Sequence, residues 1–387
     1  MQIQFSANLA NCVHYLQPTP YIVKSTNYME SGDIPVLTPG KTFILGYTKE
    51  KTGVFKGPFP VIIFDDFTTA TQLVNFPFKV KSSAMKILLP KDNVDIKYIF
   101  YFLQIQKFSA ETHKRYWISV CAKTKILLPP LAEQKRIVKK IEELFGVIDE
   151  QVKRLEATQE ALVSYRQSVL TVCLRKAAGV STTLGKTVKP RRERVTFNGT
   201  NGNMIFIGMD CIESNALKPH KTDLLRNTKS TCFIFHKDDV LYGRMRSYLN
   251  KVFKAETNGA ASAEFIVFPP TKDILPDYLK YLLHQQDFVS FATRNASGDR
   301  PRVKFEEDLA PFPFTLPSLP EQKAIVKKIE NAFAFADKAQ ATITGALEQA
   351  KQLKQSILKK AFAGKLVPQD PNDKPVNLTQ IKKDKHK

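Results

Sequence analysis

Apolar residues recur every three or four positions through two long stretches of the chain. In the first, Ile137, Ile141, Leu144, Ile148, Val152, Leu155 and Leu162 keep helical spacing. In the second, Ile325, Ile329, Ala332, Ala336, Ala339, Ile343, Ala346, Ala350, Leu353 and Ile357 alternate by four and three, which is a heptad seam. Pro129, Pro130, Pro317 and Pro320 stand at the head of these stretches and hold the chain extended there. Glu133 and Glu321 then fall in a first helical turn, where negative charge suits the helix dipole. Counted from Glu133 to Ala178, the first helix is predicted to be about 70 Å long at roughly 1.5 Å per residue. Gly179 and Gly364 are the expected C-terminal caps. The alanines of the second seam allow close approach of a partner helix, and the simplest partner is the first helix.

The two stretches are copies of each other. Leu128–Glu142 returns as Leu316–Glu330, and the match runs without a gap through Phe145/Phe333, Asp149/Asp337 and Gln167-Ser168/Gln355-Ser356. Before each copy the pattern changes to short strand-like runs between turn residues: Ile34–Leu37, Thr42–Tyr47, Val61–Phe64, Phe78–Val80 and Lys86–Leu89, then a helix over Ile96–Gln106 capped by Asp95 and a strand Lys125–Leu128. Residues 180–316 repeat this plan loosely. Ser82–Pro90 answers to Ala261–Pro269, Asp95, Tyr98, Tyr101 and Leu103 to Leu275, Tyr278, Tyr281 and Leu283, and Leu9 roughly to Leu184. The helices tolerate no insertion, whereas the segments between them vary as if each suits its own ligand. The expected organisation is a mixed α/β domain over 1–128, a long helix over 129–179, a second such domain over 180–316, a second long helix over 317–364 and a polar, flexible tail over 365–387. The fold class is α+β, with two similar mixed domains separated by two long antiparallel helices that form a coiled-coil spacer.

Charge narrows the partner. The chain has 58 Lys and Arg against 37 Asp and Glu, a net charge of +21. The excess is spread over both large segments, +7 in residues 1–132 and +5 in residues 179–320. That favours a polyanion, most simply nucleic acid. No run of 18 apolar residues or secretory leader occurs, and the five scattered cysteines form no C-x-x-C pair. A cytoplasmic setting without membrane contact is expected.

Catalytic patterns are missing from the sequence: no dinucleotide or phosphate loop and no nucleophile elbow. Asn75-Phe76-Pro77-Phe78 is an incomplete version of an adenine-methyltransferase motif. Asp65-Asp66 could hold Mg²⁺ but reads more simply as a solvated turn after a buried strand. The histidines make no metal-ligand spacing. Contacts to nucleic acid are easier to place. Tyr242, Arg244, Arg246, Tyr248 and Lys251 cluster around one turn, and Arg300 and Arg302 lie in a second basic loop. In the first domain the matching candidates are Thr68, Thr69, Lys79 and Lys81, with Arg115 and Tyr116.

The duplicated Leu-Pro-x-Leu-x-Glu-Gln-Lys at Leu128–Lys135 and Leu316–Lys323, the Ile-Val-x-x-Ile-Glu after each, Val240-Leu241-Tyr242-Gly243-Arg244-x-Arg246 and Ala361–Leu366 together make the chain resemble the specificity subunit of type I restriction–modification systems. The resemblance covers essentially the whole chain. It implies a subunit without catalysis or cofactor of its own, in which each large segment recognises half of a split, asymmetric site in double-stranded DNA. Two methyltransferase subunits carrying S-adenosylmethionine would dock on the long helices, and two restriction–translocase subunits using ATP and Mg²⁺ would join them. Other readings are a coiled-coil scaffold with two ligand- or peptide-binding domains, and a self-contained nuclease or methyltransferase with unfamiliar motifs.

Overall fold

The computed structural model describes residues 5–40, 42–106 and 116–374. It comprises two compact units, one of Met1–Arg154 with Ala346–Lys387 (unit 1) and one of Leu155–Gly345 (unit 2). Two helices dominate the chain, Leu131–Arg175 with 45 residues and Leu319–Phe362 with 44. The boundary between the units falls inside both, so each helix gives one end to each unit. The fold is α+β, with a mixed α/β region and two helix ends in each unit.

Unit 1 holds a four-stranded sheet in the order Val13–Leu16, Met85–Pro90, Val61–Asp65, Thr71–Val74, and a three-stranded sheet of Ile44–Thr48, Ile34–Leu37 and Lys79–Val80. The helix Ile96–Ile105 follows the first sheet and is capped by Asp95, whose Oδ1 accepts from the Lys97 N–H at 2.8 Å. Strand Phe5–Asn8 pairs with Lys125–Leu128. The core joins Ile62, Phe64 and Leu88 of the sheet to Ile99 and Phe102 of the short helix, Ile137 and Ile141 of the first long helix, and Ile357, Leu358 and Ala361 of the second. Phe362 closes it, its ring 4.9 Å from Tyr98 and 5.4 Å from Phe102.

Unit 2 repeats the arrangement. Strand Val240–Gly243 lies between Val252–Lys254 and Phe265–Phe268, the helix Pro276–His284 follows, and Val180–Thr183 pairs with Pro313–Leu316 ahead of the second long helix. A five-stranded sheet, Arg194–Val195, Cys232–Phe235, Gly259–Ala261, Ile205–Ile207 and Asp223–Leu224, extends the counterpart of the three-stranded sheet of unit 1. Ile205–Ile207 pairs antiparallel with Asp223–Leu224 and parallel with Gly259–Ala261, as Ile34–Leu37 does with Ile44–Thr48 and Lys79–Val80, and the two remaining strands are additional. Leu170 and Leu174 of the first long helix and Ile325 and Ile329 of the second enter its core. Leu9 and Leu184, matched in sequence, are both fully buried at the start of a short helical turn.

The repeated Glu-Gln-Lys has a structural explanation in its glutamine. In unit 1 Gln134 is fully buried; its Oε1 accepts from the Asp95 N–H at 2.8 Å, and its Nε2 donates to Asn93 O at 3.1 Å and Pro129 O at 2.8 Å. In unit 2 Gln322 makes the same three bonds, from the Leu275 N–H at 2.8 Å and to Asp273 O and Pro317 O at 2.9 Å each. One amide thus ties the proline hinge, the start of the long helix and the start of the short helix together. It also satisfies three main-chain groups that no ladder reaches.

Within each unit the long helices run antiparallel. In unit 1 Asp149 pairs with Lys354, whose ammonium lies 5.0 Å from the Phe145 ring centre. In unit 2 Arg166 meets Asp337 at 2.5 Å, and the rings of Tyr165 and Phe335 are 6.4 Å apart. Ile325, Ile329, Ala336, Ile343 and Ile357 are buried as the seam predicts. Leu353 departs from it and is 52% exposed, because the helix there turns its next residues, Ile357, Leu358 and Ala361, onto the globular core of unit 1. The glycine caps also differ. Gly364, at φ +69°, ends the second long helix in the left-handed region, with Lys365 N–H bonded to Lys360 O. The first long helix ends at Arg175, and Gly179 instead admits the main chain of Leu316, whose carbonyl oxygen a Cβ would strike. Beyond Gly364 the polar tail has no helix or strand as far as Lys374, yet it is held: Leu366 and Val367 pack on the unit 1 core, and Arg136 clasps Asp373 at 2.6 and 3.2 Å.

Gln134→Ala strands one buried N–H and two carbonyls, at roughly 1–3 kcal/mol for a buried group left without a partner. Over the three groups the expected loss from unit 1 is about 3 kcal/mol or more. The single tryptophan, Trp117, is buried in that unit, so its fluorescence during urea unfolding reads the loss directly. An unchanged urea midpoint would refute the clamp.

Candidate nucleic-acid interface

The basic turn of unit 2 is built where the central strand Val240–Gly243 runs out of partners. The Arg244 N–H donates to Glu264 O at 2.8 Å, and Arg244 O accepts from the Val303 N–H at 3.0 Å. The Arg246 N–H donates to Pro301 O at 2.8 Å. These bonds stitch the turn to the loop that carries Arg300 and Arg302. Arg246 (φ 54°) and Asn250 (φ 50°) take the left-handed conformation that closes the turn. Asn250 is buried and donates from Nδ2 to His284 O at 2.9 Å, which anchors the turn to the end of the helix Pro276–His284.

Glu264 lies at the centre of the resulting cluster. Arg302 grips it through Nε at 3.0 and 3.1 Å and through Nη2 at 2.9 Å, and the Arg244 Nε is 3.6 Å from the same carboxylate. The Arg302 hydrogen bonds, opposed by partial burial, hold the Glu264 carboxyl below the usual carboxylate range. Arg246, Tyr248 and Arg300 project from the same two loops and are exposed. Lys251 is drawn inward, its Nζ donating to Met209 O at 2.7 Å. Tyr242 does not belong to this surface. It is a strand residue with no exposed area, its ring packs 5.4 Å from Phe288, and burial pushes its hydroxyl up to about 12.

Unit 1 has the same corner with other side chains. The Asp66 N–H donates to Ala84 O at 2.8 Å, and Asp66 O accepts from the Tyr116 N–H at 3.0 Å. These are the two main-chain contacts that Arg244 makes in unit 2. Asp66 is buried, accepts from the Trp117 N–H at 2.8 Å and pairs with buried Lys86 at 3.1 Å, so it is no solvated turn residue. Asp65 does form the expected turn, its Oδ1 accepting from the N–H groups of Phe67 at 2.8 Å and Thr68 at 2.9 Å. Thr68 and Lys81 are exposed and Thr69 is half-buried. Lys79 and Tyr116 are corrections to the sequence reading. Lys79 is 1% exposed, paired with Glu50 at 2.9 Å and bonded to Thr52 O at 2.8 Å; Tyr116 is 6% exposed in the core. Arg115, like His113 and Lys114, lies outside the described residues.

Sequence reasoning passed over Glu264, Asp66 and Lys86 as contributors to these corners. The available signal was the alignment of Ser82–Pro90 with Ala261–Pro269, which sets Glu264 against Met85, an acid introduced into an otherwise basic neighbourhood. Phe78 of the incomplete methyltransferase motif packs in the core, 5.1 Å from Phe55. Among the described residues no group of three His, Cys, Asp or Glu is arranged to hold a metal, and no helix is long and apolar enough to cross a membrane.

Burial, with a smaller contribution from Lys280, pushes the His284 imidazole down to about 4, so folding keeps it neutral. A group depressed in this way stabilises nothing on protonation; unit 2 loses stability as pH falls from about 6.5 toward 4. At about 1.4 kcal/mol per pH unit the loss approaches 3 kcal/mol. Chemical unfolding at pH 7 and pH 4.5, followed by far-UV circular dichroism, should show a smaller acid loss in His284→Gln than in the parent chain. Equal losses in the two proteins would exclude His284 as the source.

Comparison with known proteins gives one consistent result. A family model described as "Type I restriction modification DNA specificity domain" matches residues 14–157 and again 189–349. The specificity subunit of the Escherichia coli type I restriction enzyme EcoR124I/EcoR124II is 30% identical over 352 residues, covering 83% of this chain and 85% of that protein. Among solved structures, a chain from work on complex assembly and conformational transition of the type I R-M system aligns with a TM-score of 0.65 at 17% identity, covering 92% of this chain and 98% of its own. The HsdS subunit from Thermoanaerobacter tengcongensis aligns with a TM-score of 0.51 at 17% identity, over 94% of this chain and 97% of its own.

Proposed function

The chain belongs to the type I restriction–modification DNA specificity family, and we propose from that premise that its two units recognise the two halves of a split, asymmetric site in double-stranded DNA. The chain is a specificity subunit and not an enzyme. It supplies the address, and adenine methylation and cleavage are carried out by partners. Two methyltransferase subunits dock on the long helices and bring S-adenosylmethionine; two restriction–translocase subunits, with ATP and Mg²⁺, complete the assembly.

The observation that carries this reading is the shared corner. The same pair of main-chain contacts holds Asp66, buried with Lys86, in unit 1 and Arg244, beside Glu264 and Arg302, in unit 2. One scaffold position is thus filled by a buried ion pair in unit 1 and by a partly exposed arginine cluster in unit 2, so the two corners offer DNA different surfaces, as an asymmetric pair of half-sites requires. Around it, Thr68 and Lys81 in unit 1 and Arg246, Tyr248 and Arg300 in unit 2 are exposed and available to phosphates and base edges. Docking on the helices is supported by apolar side chains left uncovered there, Val147 in unit 1 (63% exposed) and Phe335 in unit 2 (65% exposed).

Binding of the site should weaken steeply with salt, the logarithmic slope gaining about −0.9 for each phosphate neutralised. Arg300→Ala should reduce that slope by about 1 in a titration of duplex binding from low to moderate salt. A salt-independent affinity would sink the reading. The helices should also set the gap between half-sites. Removing four residues, about one turn, from within Gln151–Tyr165 and four from within Lys338–Gln352 should change the unread gap in a genome-wide map of methylated adenines and leave both half-site sequences as they were. Altered half-site sequences would contradict the ruler.

A further inference from the structure

Arg302 is fixed more completely than its neighbours. Its main chain is bridged to Ser297, N–H to O at 3.2 Å one way and 3.3 Å the other, and pairs with Met245 as well. Its side chain is fixed at one edge, the Nε–Nη2 edge, by the three contacts to Glu264. The opposite edge is open, since the contact of Nη1 to Arg300 O is 3.5 Å, too long to hold it. A phosphate contact needs only a positive charge within reach, and exposed Arg246 and Arg300 already offer that. A guanidinium locked at one edge instead presents two parallel N–H groups at the other. That pair fits the O6 and N7 acceptors of guanine in the major groove. The carboxylate also offsets the repulsion between Arg302 and Arg244, which it contacts together.

We propose that Arg302 reads one guanine in the half-site taken by unit 2, and that Glu264 is the positioning residue that aims it. The proposal rests on the reading that unit 2 recognises DNA sequence, and it names the base class that this corner selects. Unit 1 has no counterpart, because the contact made by Glu264 O is made there by Ala84 O. The effect of the pair is therefore confined to one half-site.

The test uses the full chain in its source cell, with maps of methylated adenines for the parent, Glu264→Gln and Arg302→Lys. Glu264→Gln keeps the shape and removes the charge that orients the fork. Arg302→Lys keeps the positive charge and removes the fork. Both should relax one guanine of one half-site, lowering the preference there by about tenfold, the scale of one bidentate base contact, while the other half-site and the gap stay fixed. A split parental motif that both variants leave unchanged overturns this inference and leaves the functional reading intact. So does a loss spread evenly over every site, which would make the pair a general affinity element, and so does unfolding of both variants, which would make it structural. A parental map without a split motif overturns the underlying reading instead, and the inference with it.

Discussion

One buried primary amide in each unit fixes how the long helix begins there. The hinge prolines extend the chain and leave carbonyls at Pro129 and Pro317 with no partner in a helix or sheet. A short helix nearby begins with an N–H in the same condition. Only a side chain with both an acceptor and two donors can serve all three groups. Glutamate would lack the donors and bring a charge into the core; leucine would leave every group unpaired. With Gln134 and Gln322 in place, the first turn of each long helix is fixed against the short helix of its own unit. The antiparallel ion pairs further along, Asp149 with Lys354 and Arg166 with Asp337, then meet without further adjustment within their own units.

The recognition corners follow a different rule. Their shape is held by main-chain hydrogen bonds, which any residue can make, so side-chain identity is released from the task of folding. Asp66 and Arg244 occupy equivalent positions with opposite charge, and each finds compensation from elsewhere in its own unit. The clamp tolerates one residue type, while the corner tolerates contrasting ones. The contrast accounts for a chain whose helices repeat without a gap while the segments before them diverge.

Much of this fold was legible in the sequence because it is periodic or duplicated. Helical spacing located both long helices to within a few residues, and Asp95 marked the start of the short helix correctly. The strands Phe5–Asn8, Val13–Leu16 and Thr71–Val74 were not legible, being four residues each with mixed polarity. The site was read less well, for one physical reason. Residue type suggests a contact, but burial decides it, and burial depends on partners distant in sequence. Lys79 looks like a phosphate ligand until Glu50 is folded against it. Tyr242 looks like a base contact until Phe288 packs over its ring. The exposed residues Arg246 and Arg300 were identifiable because they lie in turns, where neighbouring chain does not cover them. Glu264 was not, since its importance comes from Arg302, 38 positions away.

Unit 1 is assembled from two separated parts of the chain, and this has a consequence for biosynthesis. Unit 2 is continuous from Leu155 to Gly345, whereas the core of unit 1 is incomplete without Ile357, Leu358, Ala361 and Phe362. A ribosome delivers those four residues only after the whole of unit 2. The usual order, in which the N-terminal part of a protein matures first, is therefore inverted. The opening segment must wait, with Tyr98 and Phe102 uncovered, while a later one folds ahead of it. Premature termination soon after Gly345 would release a chain whose second unit is sound and whose first presents an aromatic face to the chaperones of the cell.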